Sequence, residues 1–225
     1  MFINHTKKFV YLRVPKTAST SISYQLIKDT DPNDEVSYAL LRYMDESERN
    51  WTYEREIEGV SPKFPHLNLQ QLEYQQNKSY SDYAVYGCVR NVVDRFLDRC
   101  YHEEYFVNGI IDRDHQPEPN INKNTLAQKY LDILKQNPDL LKDDHKWKPQ
   151  TFWLVNGGVE IQKIYTYENI DKMISDMIGS ETTVKNNLRT EARDDKDFLD
   201  LDEKIASEIE SLYSQDKELY EKHKS

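Results

Sequence analysis

Three groups of residues in this 225-residue chain have types and spacings suited to handling an anion or a proton. The first is the run Arg13-Val14-Pro15-Lys16-Thr17-Ala18-Ser19-Thr20-Ser21. Small residues let backbone N–H groups come close to a phosphate, the start of a helix adds partial positive charge, and Lys16 adds a mobile full charge. That is the chemistry of a phosphate-binding loop, although the G-x-x-x-x-G-K-[ST] pattern of nucleoside triphosphatases is absent. An ordinary Ser/Thr-capped helix with an exposed lysine accounts for the same residues. The second group is Val89-Arg90-Asn91-Val92-Val93-Asp94-Arg95-Phe96-Leu97-Asp98. Arg90 offers the planar, permanently charged fork that a phosphate monoester selects. Asp94, Arg95, Asp98 and Arg99 also read as a solvated lattice of helical ion pairs, each worth about a few tenths of a kcal/mol. The third is His66, between Pro65 and Leu67. An imidazole titrates near neutrality and can accept a hydroxyl proton, but a lone histidine is more often a surface or core residue. His102-Glu103 is a near miss to H-E-x-x-H, because Phe106 stands where the second histidine belongs. No metal site is expected there.

The elements that must position these groups can be read from the apolar pattern. Phe9 to Val14 is a short β-rich run closed by Pro15, and Ile22, Leu26 and Ile27 follow at helical spacing until the segment Asp29 to Asp34 breaks the pattern. Tyr83 to Val89 is a second strand, apolar enough to be covered on both faces. From Val92 the positions Val93, Phe96 or Leu97, Cys100 or Tyr101 and Tyr105 keep a helical period. The first two groups therefore each sit where a strand feeds a helix. Further on, a helix is expected near Val36 to Met44, a surface loop over residues 108 to 124, and a helix over Thr125 to Leu134. Gln150 to Leu154 begins another apolar run, and Ile161 to Tyr167 reads as a third strand. A helix over Asn169 to Ile178 ends at Gly179, and Leu201 to Leu219 reads as a last amphipathic helix. Strands alternating with helices predict an α/β fold, a P-loop-like parallel β-sheet flanked by α-helices, in a single domain spanning residues 1 to 225.

Composition excludes several classes. Forty acidic against thirty basic residues give a net charge of −10, which argues against a nucleic-acid coat or a heparin-like polyanion surface. Any anionic ligand must then be held by a local set of donors. No apolar run approaches the roughly 20 residues of a membrane span, and Met1 to Phe9 lacks the apolar stretch of a signal peptide. Cys88 and Cys100 suit neither a disulfide framework nor a zinc site and read as buried packing residues.

The string RVPKTASTS resembles the 5′-phosphosulfate loop of sulfotransferases that use 3′-phosphoadenosine 5′-phosphosulfate (PAPS), and it is most similar to the heparan and uronyl 2-O-sulfotransferase branch. The resemblance implies that Arg13, Lys16, Thr17, Ala18, Ser19, Thr20 and Ser21 surround the 5′-phosphosulfate, with Lys16 assisting departure of the nucleotide. It places Arg90 at the 3′-phosphate motif of the family. There the chain departs from the pattern: Asn91-Val92 replaces Asp-Pro, and Asp98 takes the position of a serine. A carboxylate facing a 3′-phosphate repels it unless it is protonated, turned away or bridged by Arg95 or Arg99. His66 matches, by order and context, the general base of the family. The segment Asp144-His145-Lys146-Trp147-Lys148-Pro149-Gln150 is similar to one near the acceptor cleft, and a loop packed by Trp147 explains it equally. Glu168-Asn169 after the third strand and Leu212 to Asp216 near the end are further likenesses, and Asn186 to Thr190 matches a loop over the cofactor from which Arg189 or Arg193 could reach a phosphate.

The implied activity is PAPS-dependent O-sulfation by in-line displacement, with Lys16 and His66 as the catalytic pair, no metal, and a carbohydrate hydroxyl as acceptor. The acidic surface favours a less charged glycan or a small molecule over a densely sulfated polymer. Family members of the secretory lumen carry a membrane anchor, whereas this chain starts almost at its first strand, so a cytoplasmic protein of a bacterium or virus is expected, with neither nucleic acid nor membrane as partner. Two rivals are a nucleotide-binding module of the same fold that has lost transfer, and a P-loop phosphotransferase.

Overall fold

Near-continuous buried runs, not alternating ones, build the sheet: every residue of Phe2–Asn4 and Phe9–Leu12 is buried. The computed structural model describes residues 1–28, 34–36, 66–104, 122–180 and 201–224. A five-stranded sheet runs in the order β3-β1-β2-β4-β7, where β1 is Phe2–Asn4, β2 Phe9–Leu12, β3 Glu35–Val36, β4 Ala84–Val89 and β7 Lys163–Thr166. The central strands β2, β4 and β7 are parallel, with Val10 opposite Val85 and Gly87 opposite Ile164.

The expected parallel sheet flanked by helices is present, and one edge extends it with antiparallel pairing. β1 pairs antiparallel with both β2 and β3, Phe2 lying opposite Tyr11 and Val36. Met1, Phe2 and Ile3 are fully buried, so the N-terminal residues form a hairpin with β2 instead of leading into it. Asp34, itself fully buried, fastens that edge: it accepts from the Asn4 side-chain amide at 2.7 Å and from the His5 backbone N–H at 2.9 Å. Val36 therefore ends a strand where a helix was expected to begin, and residues 37 to 44 lie outside the described residues.

The described residues fall into two compact units. The first comprises Met1–Val89, Gln150–Glu191 and His223–Ser225, and holds the sheet. On one face of that sheet, helices α1 (Ser19–Lys28) and α7 (Ile170–Ile178) bury Ile22, Leu26, Met173 and Ile174 against Phe9, Tyr11, Tyr86 and Cys88. The intervening residues of β4 face the other side, where close approach demands a glycine. A Cβ at Gly87 would overlap Leu154 Cδ2 and stand 2.9 Å from Ile161 Cδ1, so Gly87 lets the short helix α6 (Thr151–Leu154) lie against the strand. β4 is thus covered on both faces, as its apolar run implies. A small hairpin of β5 (Val155–Asn156) and β6 (Val159–Glu160) precedes β7. Helix α2 (Leu69–Gln76) starts with a reciprocal capping box between Asn68 and Gln71.

The second unit comprises Arg90–Pro149 and Ala192–Lys222. Its core gathers Phe96, Leu97 and Cys100 of α3 (Val92–His102), Ala127, Leu131 and Leu134 of α4 (Lys123–Gln136), and Ile205 and Ile209 of α8 (Glu203–Leu212), around Trp147. The short α5 (Leu140–Asp143) follows α4. Asn122 caps α4 by accepting from the Thr125 N–H, so residues 122 to 124, expected in a loop, belong to the helix start; residues 105–121 lie outside the described residues. The expected last helix is two, α8 and α9 (Ser214–His223), separated at Tyr213, which leaves helical geometry with φ −116° and ψ 40°. Its buried hydroxyl donates to the Trp147 carbonyl at 2.9 Å, an interaction between residues far apart in sequence that helical periodicity does not register.

Candidate active site

The chain leaves β2 at Leu12 and reaches α1 through a turn that contains no glycine. Lys16 has φ 68° and Ala18 φ 56°, both in the left-handed region that L-residues seldom occupy and that costs about 1–3 kcal/mol per residue. Left-handed residues set between ordinary ones turn backbone N–H groups toward a common concavity, the arrangement used by anion-binding nests. What glycines do in a nucleoside triphosphatase loop is done here by Lys16 and Ala18.

Side chains brace the turn from beneath. Thr17 is fully buried and its hydroxyl donates to the Val14 carbonyl at 3.0 Å, so its backbone rather than its side chain faces any ligand. Arg13, only 4% exposed, donates from Nη2 to the Thr20 hydroxyl at 3.3 Å. The Ile22 N–H closes the first helical bond onto the Ala18 carbonyl at 3.0 Å, which leaves the N–H groups of Ser19, Thr20 and Ser21 as those without an acceptor inside the helix. No acidic residue lies in this first turn. The positive end of α1, the half-buried Lys16 and the permanent charge of Arg13 together form a donor set for an anion.

His66 joins this turn from 53 residues further along the chain: its Nδ1 lies 2.7 Å from the Arg13 carbonyl oxygen. A carbonyl only accepts, so Nδ1 carries the proton and the neutral ring keeps its lone pair on Nε2. The ring is positioned by the start of α2, whose cap residue Asn68 also donates from its side-chain amide to the Phe152 carbonyl at 3.3 Å. The three sequence-separated candidates Arg13, Lys16 and His66 thus lie on one turn or bond directly to it.

Arg90, in the second unit, follows β4 directly in sequence. Asn91 caps α3 by accepting from the N–H groups of Val93 and Asp94, which gives the departure from Asp-Pro a helix-starting role. Arg90 Nη1 lies 3.2 Å from Asp98 Oδ2, with the two side chains 12% and 26% exposed. Asp98 is therefore bridged by Arg90 itself. Arg95 and Arg99 are held elsewhere: Arg95 donates to the Lys148 carbonyl at 2.8 Å and stands 3.7 Å from the fully buried Asp216, and Arg99 pairs with Glu103 one turn on. The expected solvated lattice is corrected accordingly, since Arg95 and Arg99 point into the unit and burial pulls the Arg99 guanidinium down to about 10.

The remaining candidates are less central. Trp147 is buried against Phe96 and Tyr130, so the segment around it is a packed loop. His145 lies beside Asp144 at 3.6 Å, and burial lowers its pKa. Asn169 donates to the Thr166 hydroxyl at 3.0 Å in the turn between β7 and α7. Asn186 to Thr190, Arg189 and Arg193 lie outside the described residues. Among the described residues no group of three or more His, Cys, Asp or Glu side chains is placed to hold a metal ion, and no helix is long and apolar enough to cross a membrane. Sequence reasoning missed the Arg13 carbonyl as the partner of His66, and the clamp of Arg95 and Tyr213 on consecutive carbonyls at Lys148 and Trp147. Backbone acceptors leave no mark in residue types.

Compared with known families, residues 1–223 match the model described as "Sulfotransferase family". The chain belongs to the sulfotransferase family. No curated protein and no solved structure matches it. The family match spans the sheet, the turn after β2 and both compact units, and supports sulfuryl transfer as the general activity of this sulfotransferase.

Proposed function

We propose that this sulfotransferase moves the sulfuryl group of PAPS to an acceptor hydroxyl, most closely in the manner of the heparan and uronyl 2-O-sulfotransferase branch. The observation that carries the reading is the hydrogen bond from His66 to the Arg13 carbonyl, which puts a proton acceptor on the same turn as the anion-binding amides. The donor set suits a phosphosulfate: backbone N–H groups at the positive end of α1, a lysine, and a buried arginine beneath them.

PAPS, when bound, supplies an activated sulfuryl group on a good leaving phosphate. The turn from Lys16 to Ser21 holds the 5′ end, and Arg13 braces it through Thr20. Lys16 stabilises the negative charge that grows on the departing oxygen. His66 receives the acceptor's proton at Nε2, with Nδ1–H anchored so that the ring cannot present the wrong nitrogen. Arg90 serves the 3′ end, and Asp98 modulates it. Alignment and charge stabilisation supply most of the acceleration, as in phosphoryl transfer.

A carbohydrate of low charge, or a small hydroxylated molecule, is the acceptor we favour. Residues 194 to 225 carry eleven acidic against five basic side chains, which disfavours a densely sulfated polymer. The place of action proposed is the cytoplasm, without nucleic acid or membrane as partner. Incubation with radiolabelled PAPS and a panel of neutral oligosaccharides tests the reading. Labelled product is expected from the native chain and lost in Lys16→Ala, and a panel without any transfer, together with absent binding of adenosine 3′,5′-bisphosphate, would overturn it.

A further inference from the structure

The pair Arg90–Asp98 alters what the ribose end of the donor should look like. Resting on the reading of Arg90 given above, we infer that this subsite takes a ribose 3′-hydroxyl at least as well as a 3′-phosphate, so that adenosine 5′-phosphosulfate serves as sulfuryl donor alongside PAPS.

Charge at this pair opposes a second anion. Arg90 and Asp98 are 3.2 Å apart and largely shielded, so the guanidinium is already matched by a carboxylate. A 3′-phosphate brings close to two negative charges at neutral pH and must either displace Asp98 or rest against it. The helix also fixes where Asp98 stands. Asp98 sits two turns into α3, a helix capped by Asn91 and locked by the buried neighbours Phe96, Leu97 and Cys100, so its backbone stays in place. Arg95 is engaged with Asp216 and the Lys148 carbonyl, and Arg99, although it feels the Asp98 charge, pairs with Glu103.

The same pair suits a hydroxyl. A carboxylate has lone pairs for several donors, and Asp98 can accept from a ribose O–H while Arg90 holds it. Dinucleotide-binding folds make a parallel distinction, an acidic residue reading a ribose hydroxyl and an arginine reading the phosphorylated form. Transfer itself is unchanged: the S–O bond to the phosphate breaks, the new S–O bond forms to the acceptor, and the acceptor proton passes to His66.

Calorimetry with adenosine 5′-monophosphate and adenosine 3′,5′-bisphosphate, which differ only in the 3′-phosphate, tests this on the whole chain. The native protein is expected to bind both within about threefold, and Asp98→Ser and Asp98→Asn to shift preference toward the bisphosphate by about tenfold or more, because a like charge has been removed. A native preference of tenfold or more for the bisphosphate would overturn the inference and leave the sulfotransferase reading intact. Unchanged preference in both folded variants would overturn it as well. Binding of neither nucleotide would overturn the reading of the site together with the inference. The native ratio decides by itself if the variants do not fold.

Discussion

Replacing His66 by asparagine separates two jobs that the native imidazole performs at once. The carboxamide nitrogen of asparagine stands as far from Cα as Nδ1 of histidine, so His66→Asn can keep a donor to the Arg13 carbonyl, 2.7 Å away in the native chain, while removing Nε2. Loss of a positioned general base costs about 10²- to 10⁴-fold in rate, or about 3–5 kcal/mol in barrier height. His66→Ala loses the base and the hydrogen bond together. A half-buried neutral bond contributes about 0.5–1.5 kcal/mol, so the alanine variant should also melt lower by about 1–6 °C in a chain of this size, and the asparagine variant should not. Single-turnover transfer from labelled PAPS reads the rate, thermal unfolding reads the stability, and nitrogen-15 spectra of the neutral ring read which nitrogen holds the proton. Transfer by His66→Asn within about threefold of native, or a neutral ring protonated at Nε2, would refute the reasoning, since both outcomes contradict a base held through Nδ1.

Gly87→Ala should destabilise the chain by about 1–3 kcal/mol in thermal unfolding, because the new methyl meets Leu154 and Ile161; an unchanged midpoint would show that α6 does not press on β4. Asp216→Ala removes the carboxylate beside the buried Arg95 and should cost about 3–5 kcal/mol in denaturant unfolding, with Arg95→Met/Asp216→Leu recovering much of the loss. Burial raises the Cys100 thiol well above its ordinary value of 9.0. The folded chain therefore keeps that proton while the unfolded chain releases it, so stability should fall as pH rises above about 9, and thiol reagents should modify Cys88 and Cys100 only on unfolding.

What could be read beforehand was what depends on local pattern. The strands β2, β4 and β7 show as apolar runs, α3 and α7 as helical periods, and the end of α7 as Gly179, which takes the left-handed cap at φ 77°. The phosphate-loop character of residues 13 to 21 was legible from residue types. What could not be read depends on long-range geometry or on backbone atoms. β1 is three residues long and is fixed by pairing with Tyr11 and Val36, too short for alternation to register. The break at Tyr213 follows from a bond to a carbonyl 66 positions away. Asp98 could be seen to be wrong for a phosphate, with Arg95 or Arg99 as the expected bridge, whereas the structure pairs it with Arg90 and sets Arg95 beside Asp216 and Arg99 beside Glu103.

A net charge of −10 and the anionic donor proposed above are compatible because such a site acts over a few ångströms. Exposed charges more than about 8 Å away are largely screened at physiological ionic strength, so net charge by itself says little about a phosphosulfate held by backbone amides. What matters is the immediate shell: an acid-free first turn of α1, Lys16 at its mouth, and Arg13 kept 4% exposed below it. Asp98 is weighty on the same ground, although it is one acid among forty. It touches Arg90, and a charge in contact inside a shielded pair changes the ligand's surroundings more than the whole distant surface does. Donor choice in this sulfotransferase should therefore respond to substitution at position 98.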